Sequence, residues 1–212
     1  MQDYYNRRAQ EYEQIYHRND PSRQAELDTL SRAMCSALSG LDVVEVACGT
    51  GIWTERVANS VNRILATDAS EETLEIASGK SLPPSVQFAS ANAYDLDAVG
   101  SGFTGGLANF WFSHVPKDRV SDFLDGFHAR LRPGARVFMA DNCYQEGVGG
   151  DLVTVPGQAD SYKRRYLADG SEHLVLKNYY TLEELLSIFS LFSGDLKVDM
   201  GTHYWWLTYK VK

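Results

Sequence analysis

An acid followed by two closely spaced glycines is the feature of this sequence with the clearest chemistry. Glu45 precedes Val46-Ala47-Cys48, and the run continues with Gly49-Thr50-Gly51. Glycine lacks a Cβ, so its backbone can approach a ligand closely and can adopt a positive φ. The negative charge of the acid favours a ligand that carries a positive charge, such as an ammonium or a sulfonium ion. The run therefore predicts a turn that binds a flat, polar, positively charged molecule.

The same turn fits a dinucleotide less well. The G-x-G-x-x-G pattern of dinucleotide-binding turns needs a third glycine or an alanine where this chain has Thr54. The pyrophosphate of a dinucleotide lies at the start of the following helix, and Glu45 is poorly placed for that negative charge. We also find no catalytic Tyr-Lys pair. For these reasons an NAD(P)-dependent oxidoreductase ranks second, as the alternative type of enzyme.

Alternating strands and helices must position this turn, and the sequence repeats the alternation five times. Helices are predicted over 21–38, 52–57 and 118–131, with Ser70 as the N-cap of a further helix, and strands over 43–47, 63–67, 86–89, 106–112 and 136–140, the last after a Pro133-Gly134 turn. This order predicts an α/β fold: a three-layer sandwich around a mostly parallel seven-stranded sheet. Ligands of such sheets bind at the carboxyl ends of the strands. The glycine turn and Asp68, which follows the second strand, both lie there.

The C-terminal part of the chain departs from this alternation. Residues 164–177 form two extended segments around Asp169-Gly170, which is a strong hairpin signal. A last helix is predicted over 182–192, and segments 196–200 and 203–210 predict an antiparallel pair at the sheet edge. We therefore expect one domain over 1–212, with an N-terminal helical cap at 1–40, a cofactor-binding core at 41–141 and an inserted hairpin at 160–178 that covers the pocket.

The segment from Glu45 to Gly51 resembles motif I, E/D-x-x-x-G-x-G, of the class I S-adenosylmethionine-dependent methyltransferases. The resemblance continues in register over residues 40–141 and is to the small-molecule type, which has a Rossmann-like fold. It implies transfer of a methyl group from S-adenosylmethionine to a small-molecule acceptor, with O- or N-methylation favoured. A non-catalytic S-adenosylmethionine-binding protein is the alternative, although motif I and Asp68 are both retained.

The resemblance also implies roles for individual residues. Asp68 would bind the ribose, where it can accept hydrogen bonds from both hydroxyls. Asn92 would accept from the adenine amine, although the family more often has an acid there, and Thr104-Gly105 stands where an acid usually opens strand four. Tyrosines of the N-terminal leader would shield the sulfonium from water. The residues implicated in cofactor binding are Tyr5, Tyr12, Glu45, Ala47, Cys48, Gly49, Thr50, Gly51, Asp68, Ala69, Asn92, Ala93, Asn109 and Phe110.

His114, in the loop after strand four, is the candidate general base. The ordinary pKa of histidine is close to neutrality, which suits proton transfer. Methyl transfer from a sulfonium mainly requires alignment of donor and acceptor, so one base near the acceptor suffices. A histidine that only packs in this loop, or that bonds to the backbone, is the alternative interpretation.

Basic and aromatic side chains in the second half of the chain are weaker candidates for an acceptor pocket. Arg164, Arg165 and Lys177 could meet an acidic acceptor, but simple solvated charge is the favoured interpretation. Trp205 and Trp206 are adjacent in a predicted strand, so their side chains face opposite sides of the sheet. At least one of them is therefore expected in the core.

Composition argues against several classes of partner. Acidic residues outnumber basic ones by 28 to 20, the net charge is -8, and no Lys/Arg-rich run is present, so we expect no nucleic acid partner. Asn109 begins no N-P-P-Y turn, which argues against methylation of bases or protein amides.

No secretory signal and no apolar stretch of about 18 residues is found, so we expect a cytoplasmic protein away from membranes. The spacing of Cys35, Cys48 and Cys143 predicts no metal site. A monomer or a homodimer is expected.

Overall fold

The computed structural model describes residues 20–167 and 170–212, which form a seven-stranded sheet, a separate three-stranded sheet and flanking helices. The helices are α1 (Pro21–Leu38), α2 (Ile52–Val57), α3 (Glu71–Ser78), α4 (Val120–His128) and α5 (Leu182–Phe189). The strands are β1 (Asp42–Val46), β2 (Arg63–Asp68), β3 (Val86–Ser90), β4 (Phe103–Asn109), β5 (Leu131–Asn142), β6 (Leu152–Thr154), β7 (Ser161–Tyr166), β8 (Glu172–Leu176), β9 (Lys197–Met200) and β10 (Tyr204–Lys210). Short 3-10 helices occupy Asp97–Val99, Phe112–His114 and Lys117–Arg119.

The large sheet has the strand order β3-β2-β1-β4-β5-β10-β9. Strands β1 to β5 are parallel, whereas β10 runs antiparallel to both β5 and β9. The chain leaves β1 toward β2 and β3, then crosses back to place β4 on the other side of β1. Such a reversal opens a crevice at the carboxyl ends of the strands on either side of it. The fold thus confirms the predicted mixed α/β sheet and directs attention to the ends of β1 and β4.

Both faces of the central strands are buried, because helices cover each of them. Val43 packs in a cluster with α1, and its neighbour Val44 packs in a second cluster with α4 and α5. On α1, which Asp20 caps by accepting a hydrogen bond from the Arg23 backbone at 3.1 Å, one apolar stripe faces the sheet. Its buried residues are Leu27, Leu30, Met34 and Leu38. These residues pack α1 against one face of the sheet.

Trp205 and Trp206 follow the expectation for adjacent strand residues. Trp205 is fully buried in the cluster with α4 and α5, and Trp206 packs partly buried against the α1 side. The last two strands also form the antiparallel edge pair that the sequence predicts. Among the described residues, no helix combines the length and the apolar character needed to cross a membrane.

The Pro133-Gly134 segment differs from its predicted role as a turn before β5. It lies within the strand, which begins at Leu131. Phe103 of β4 pairs with Leu131, and Gly105 pairs with Arg136, so β5 holds extra residues in an irregularity of the ladder. A proline has no N–H to donate to a ladder, and such irregularities are where strands tolerate it. The sequence pattern located the interruption but misjudged its size.

The predicted hairpin over 164–177 forms as β7 and β8, which pair from Tyr162 with Leu176 to Tyr166 with Glu172. A third strand, β6, pairs with β7 and was not predicted, because it is only three residues long. The base of this three-stranded sheet is fastened to the core by Asn178. Its backbone N–H donates to the Ser113 carbonyl at 2.7 Å, its side chain donates to the Val115 carbonyl at 3.0 Å, and its side-chain oxygen accepts from Ser161 at 2.9 Å.

Candidate functional site

The turn between β1 and α2 has an unusual backbone. Ala47, Gly49 and Gly51 have φ values of 53°, 55° and 75°. At Gly51 a Cβ would lie 3.0 Å from the Cβ of Ala77, so this glycine allows α2 to start against α3. At Gly49 a Cβ would meet nothing within 4 Å. The absence of a side chain therefore has a different effect at each glycine. At Gly51 it permits close packing of two helices, and at Gly49 it leaves the backbone exposed to open space.

Asp68 joins the turn to the end of β2. One carboxylate oxygen accepts from the Gly49 N–H at 2.8 Å, and the other accepts from the Ser70 N–H at 2.9 Å. The side chain is half-buried and is followed by the exposed Ala69. Each carboxylate oxygen has a second lone pair, so Asp68 can bond to the turn and still accept hydrogen bonds from hydroxyl groups of a ligand.

Glu45 lies beneath the turn and is 1% exposed. Its Oε2 accepts from the Thr54 hydroxyl at 2.6 Å, which ties β1 to α2. Burial, reinforced by the negative charge of Asp68, raises the pKa of Glu45 to about 7, and the Thr54 hydrogen bond opposes that rise. A positive charge nearby would favour the ionised form of this carboxyl group.

Cys48 and Thr50 complete the turn. Burial and the charge of Glu45 raise the pKa of the Cys48 thiol, which packs near Ala66 and Leu74, so Cys48 offers its backbone rather than a thiolate. The Thr50 hydroxyl is buried and has no hydrogen-bond partner within 20–167 and 170–212. A buried hydroxyl usually has a partner, so Thr50 suits a polar ligand at this turn.

The loop after β3 lies at the same edge. The Asn92 side chain is exposed, and its Oδ1 accepts from the Tyr94 N–H at 3.0 Å, while Ala93 is buried. Ala91 donates to the Asp68 carbonyl at 3.0 Å, which holds this loop against the end of β2. Asn92 retains a lone pair for a further donor.

The end of β4 faces both α1 and α2. The Asn109 side-chain nitrogen lies 3.3 Å from the Met34 sulfur, so this side chain is turned toward α1. Phe110 has a φ of 57°, and its ring stacks on Trp53 at 5.3 Å and meets Tyr204 edge-on at 5.5 Å. A phenylalanine in the left-handed region costs on the order of 1 kcal/mol, and such strain concentrates at ligand sites. Two of the predicted cofactor residues, Tyr5 and Tyr12, lie outside the described residues.

His114 is 8% exposed, in the 3-10 helix after β4. Its Nδ1 lies 2.7 Å from the Leu176 carbonyl oxygen, which can only accept, so Nδ1 carries the proton. Burial, and the positive charge of Lys177 in addition, lower the pKa of His114 to about 3. The imidazole is therefore neutral near pH 7 and a weak base. Its catalytic role stays a prediction.

Lys177 is not the solvated charge that the sequence favoured. It is 5% exposed, and its ammonium donates to the Ser113 hydroxyl at 2.6 Å and to Asp141 at 2.9 Å. Asp141 also accepts from the Ser113 N–H at 2.9 Å. Burial alone would raise the pKa of Asp141, but the adjacent ammonium holds it below its ordinary value. Sequence reasoning missed Asp141, although an acid near the end of an apolar parallel strand was a usable signal.

A cavity of about 80 Å³ lies beside this ion pair, between the end of β5 and the three-stranded sheet. We call it the β5 cleft, and it is lined by Arg23, Asn142, Cys143, Gln145, Val148, Gly149, Arg165, Lys177, Tyr179 and His203. Asn142 ends β5 and His203 precedes β10, so the β5 cleft opens at the same sheet edge as the glycine turn. A larger cavity, of about 540 Å³, lies at the opposite edge near Leu41 and Pro133, and none of the predicted site residues within 20–167 and 170–212 lines it. Among the described residues, no group of three His, Cys, Asp or Glu side chains could hold a metal ion.

Comparisons with known proteins agree with this geometry. Residues 43–134 match the family model of a methyltransferase domain. The cypemycin N-terminal methyltransferase of a Streptomyces species is 27% identical over 122 residues, which cover 56% of this chain and 49% of that protein. The ubiquinone biosynthesis O-methyltransferase of Rhizobium etli is 31% identical over 105 residues, which cover 49% of this chain and 42% of that protein. The chain thus spans about half the length of the curated relatives it matches.

Solved structures share the fold over nearly the whole chain. A complex of DhpI with SAH superimposes with a TM-score of 0.79 at 23% identity, covering 99% of this chain and 94% of that one. The matched domain model runs from β1 to the first residues of β5, with the glycine turn and Asp68 inside it. Residues 43–134 are thus similar to methyltransferase domains, and the chain shares its fold with the SAH complex of DhpI.

Proposed function

We propose that this chain transfers a methyl group from S-adenosylmethionine to a small-molecule acceptor, with oxygen or nitrogen as the favoured acceptor atom. The observation that carries the proposal is the turn after β1, where Gly49 borders open space and donates to Asp68 at 2.8 Å. Bare backbone beside an acid with spare lone pairs suits an adenosine group. The domain match alone does not establish this activity, since the chain shares only about half the length of its curated relatives.

The residues at this edge fit S-adenosylmethionine. A side chain at Gly49 would fill the open space that the backbone now borders, and the unpartnered Thr50 hydroxyl suits a polar ligand. We propose that Asp68 and Ala69 hold the ribose and that Asn92 and Ala93 hold the adenine. The methionine part would lie against the remaining predicted positions: Ala47, Cys48, Gly49, Thr50, Gly51, Asn109, Phe110 and the leader residues Tyr5 and Tyr12.

S-adenosylmethionine, when bound, supplies a methyl group already activated by its sulfonium centre. The chain's own residues therefore have to align the acceptor and exclude water rather than activate the methyl group. Glu45 would contribute a negative charge beneath the turn, favoured by a neighbouring cation. We propose that the inserted hairpin, β7 and β8, covers the acceptor.

His114 remains our candidate for the general base, but its low pKa limits the acceptors that it could deprotonate. A pKa of about 3 makes the imidazole too weak to ionise an alcohol or an amine readily. An acceptor that is already ionised, or that has a free lone pair, needs no stronger base. The small-molecule acceptor is further supported by the net charge of -8, which disfavours nucleic acid. The cytoplasmic location and the monomeric or homodimeric state stay predictions from the sequence.

Calorimetric titration with S-adenosylmethionine, S-adenosylhomocysteine and NAD tests the proposal. We expect both adenosyl compounds to bind and NAD to give no heat. Asp68→Asn should weaken S-adenosylhomocysteine binding at least about tenfold, because an amide cannot accept from both backbone N–H groups. Glu75→Gln, at an exposed site on α3, is the control for loss of a carboxylate and should bind as the wild type does. Heat with NAD alone would favour the oxidoreductase, and binding without methylated product across an acceptor panel would favour the non-catalytic alternative.

A further inference from the structure

We infer that the acceptor carries an oxyanion group, a carboxylate, phosphate or phosphonate, that Arg165 binds in the β5 cleft. The inference rests on the proposed methyltransferase function, because it names the acceptor of that same site. It goes further in assigning a chemical class to the acceptor and a binding residue to the class.

The β5 cleft concentrates positive charge in an acidic protein. Arg23, Arg165 and Lys177 line it, and Lys163 is buried directly behind the loop that forms one wall. The chain as a whole has a net charge of -8. A concentration of one sign of charge in a cleft attracts ligands of the opposite sign. The side chains that line the β5 cleft are therefore mainly positive, opposite in sign to the net charge of the chain.

Three of these four cations already have local contacts. Lys177 is paired with Asp141, and Lys163 donates to the Gly150 carbonyl at 2.8 Å and to the Val148 carbonyl at 3.3 Å. Arg23 lies over the Tyr204 ring at 5.2 Å. Like Arg23 and Lys163, Arg165 has no carboxylate of residues 20–167 and 170–212 within ion-pair distance, and its guanidinium lies in the cleft. A half-buried guanidinium without a counter-ion is suited to an external one.

The backbone around Arg165 is built to hold its guanidinium in place. Gly149 and Gly150 have φ values of 73° and 88°. A Cβ on Gly149 would lie 2.7 Å from the Arg165 Nη1, and a Cβ on Gly150 would collide with the Arg164 carbonyl oxygen. The guanidinium thus lies directly against a glycine backbone. A planar fork held in one orientation loses little entropy on binding a carboxylate or a phosphate with two hydrogen bonds.

Like charges surround Arg165, and an anion would relieve their repulsion. Burial lowers the pKa of both Lys163 and Lys177, and the positive charge of Arg165 adds to that fall, while Asp151 and Asp141 respectively oppose it. The neighbouring Arg164 has a different environment, since it pairs with Glu172 at 3.5 Å. Adjacent strand residues face opposite sides, so only Arg165 is directed to the cleft.

Ring contacts connect the helix α2, which directly follows the glycine turn (residues 47–51, hereafter the cofactor turn), with this cleft. Trp53 stacks on Phe110 at 5.3 Å, Phe110 meets Tyr204 at 5.5 Å, and Tyr204 lies under Arg23. The β5 cleft and the end of β4 are thus neighbours at one sheet edge. An anion held by Arg165 therefore places the rest of a small acceptor beside the proposed cofactor site.

Binding of three small anions to the full chain tests the inference: acetate, inorganic phosphate and methylphosphonate, each titrated with S-adenosylhomocysteine present. We expect at least one to bind, and Arg165→Gln to weaken it about tenfold or more. Arg165→Lys, which keeps the charge but not the fork, should fall between them. Arg164→Gln is the matched control and should match the wild type. The three probes separate a carboxylate site from a phosphate or phosphonate site.

The failures of the two proposals are distinguishable. If S-adenosylhomocysteine itself does not bind, the proposed function fails. If it binds with wild-type affinity in every variant but no anion binds, or if Arg165→Gln binds the anion as tightly as the wild type, the acidic acceptor is overturned. Unchanged melting temperature of Arg165→Gln in the absence of ligands will show that a loss of anion binding is not a loss of folding.

Discussion

The two parts of the site are built in different ways. The cofactor turn is made from backbone, with Ala47, Gly49 and Gly51 in left-handed conformations and one carboxylate, Asp68, accepting from the Gly49 N–H. The β5 cleft is made from side chains that come from α1, the end of β5, β7 and the segment after β8. A backbone site is set by a short stretch of sequence. A side-chain site depends on how distant segments pack, so it can change its ligand while the fold stays the same.

The largest expected effect is on the ion pair that borders the β5 cleft. Lys177→Met removes the partner of a fully buried Asp141, so we expect a loss of about 3 to 5 kcal/mol in the free energy of unfolding. The double variant Lys177→Met, Asp141→Asn removes both charges of the pair and should recover most of that loss. Arg63→Met, at an exposed pair with Asp42, should cost below about 1 kcal/mol. Urea denaturation at pH 7 measures all three, and equal losses for Lys177→Met and Arg63→Met would contradict the comparison.

The cofactor turn should be the main source of an unusual pH dependence. The folded pKa of Glu45 is about 7 against an ordinary value of 4.5, so folding favours the protonated form. Stability from this group is present below pH 4.5 and is lost as the pH rises through about 7, by about 3 kcal/mol. Glu45→Gln keeps an acceptor for Thr54 and should lack this loss.

The measurement is the difference in unfolding free energy between wild type and Glu45→Gln, without ligand, at pH 5 to 8. Taking the difference removes other titrations, such as those of His114 and His128, whose lowered pKa values cost stability only as the pH falls. A difference that is constant with pH would show that Glu45 titrates normally.

The two glycines of the turn should separate stability from binding. Gly51→Ala places a Cβ 3.0 Å from Ala77 at a φ of 75°, so we expect a loss of about 2 to 3 kcal/mol in stability. Gly49→Ala meets only open space and should cost about 1 kcal/mol, the strain of its positive φ. Its larger effect should be on S-adenosylhomocysteine affinity, measured by calorimetry. If Gly49→Ala binds as tightly as the wild type, the open space is not where the ligand lies.

The smallest expected effect is at His114, between the two regions. Because its pKa is about 3, His114 should not titrate between pH 5.5 and 8.5, and methyl transfer should show no bend there on its account. His114→Gln with unchanged turnover across that range would remove it as a base. A bend near pH 6.5 that disappears in His114→Gln would instead show that the imidazole is more basic than its burial implies.

The sequence predicted the elements around the glycine turn better than those around the β5 cleft, for physical reasons. Local patterns determined α1, α2, the Ser70 cap and the glycine turn, because hydrophobic period, capping and turn chemistry act over a few residues. The end of α5 was placed at 192 instead of Phe189, and the interruption in β5 was misread as a turn. Both depend on pairing with distant strands.

The burial of Lys177 could not be predicted from its own neighbours. A lysine at the end of a hairpin strand is usually solvated, and only the approach of Asp141 and Ser113 from other elements makes the buried position stable. The position of Arg165 likewise depends on Gly149, which is far from it in sequence. Charge partners of this kind lie outside the reach of periodicity.

The contacts of Asn178 at the base of the three-stranded sheet bear on how readily that segment can be exchanged for another. One amide side chain connects the two ends of the inserted segment to each other and to the loop after β4, through Ser161, Asp160 and Val115. Both ends of the insert are therefore anchored beside the loop after β4, where Lys177 and the Leu176 carbonyl also contact the core. We expect that residues 162–176 can be exchanged for those of a related protein without disturbing the β1 turn, so that new acceptor preferences arise by grafting one module.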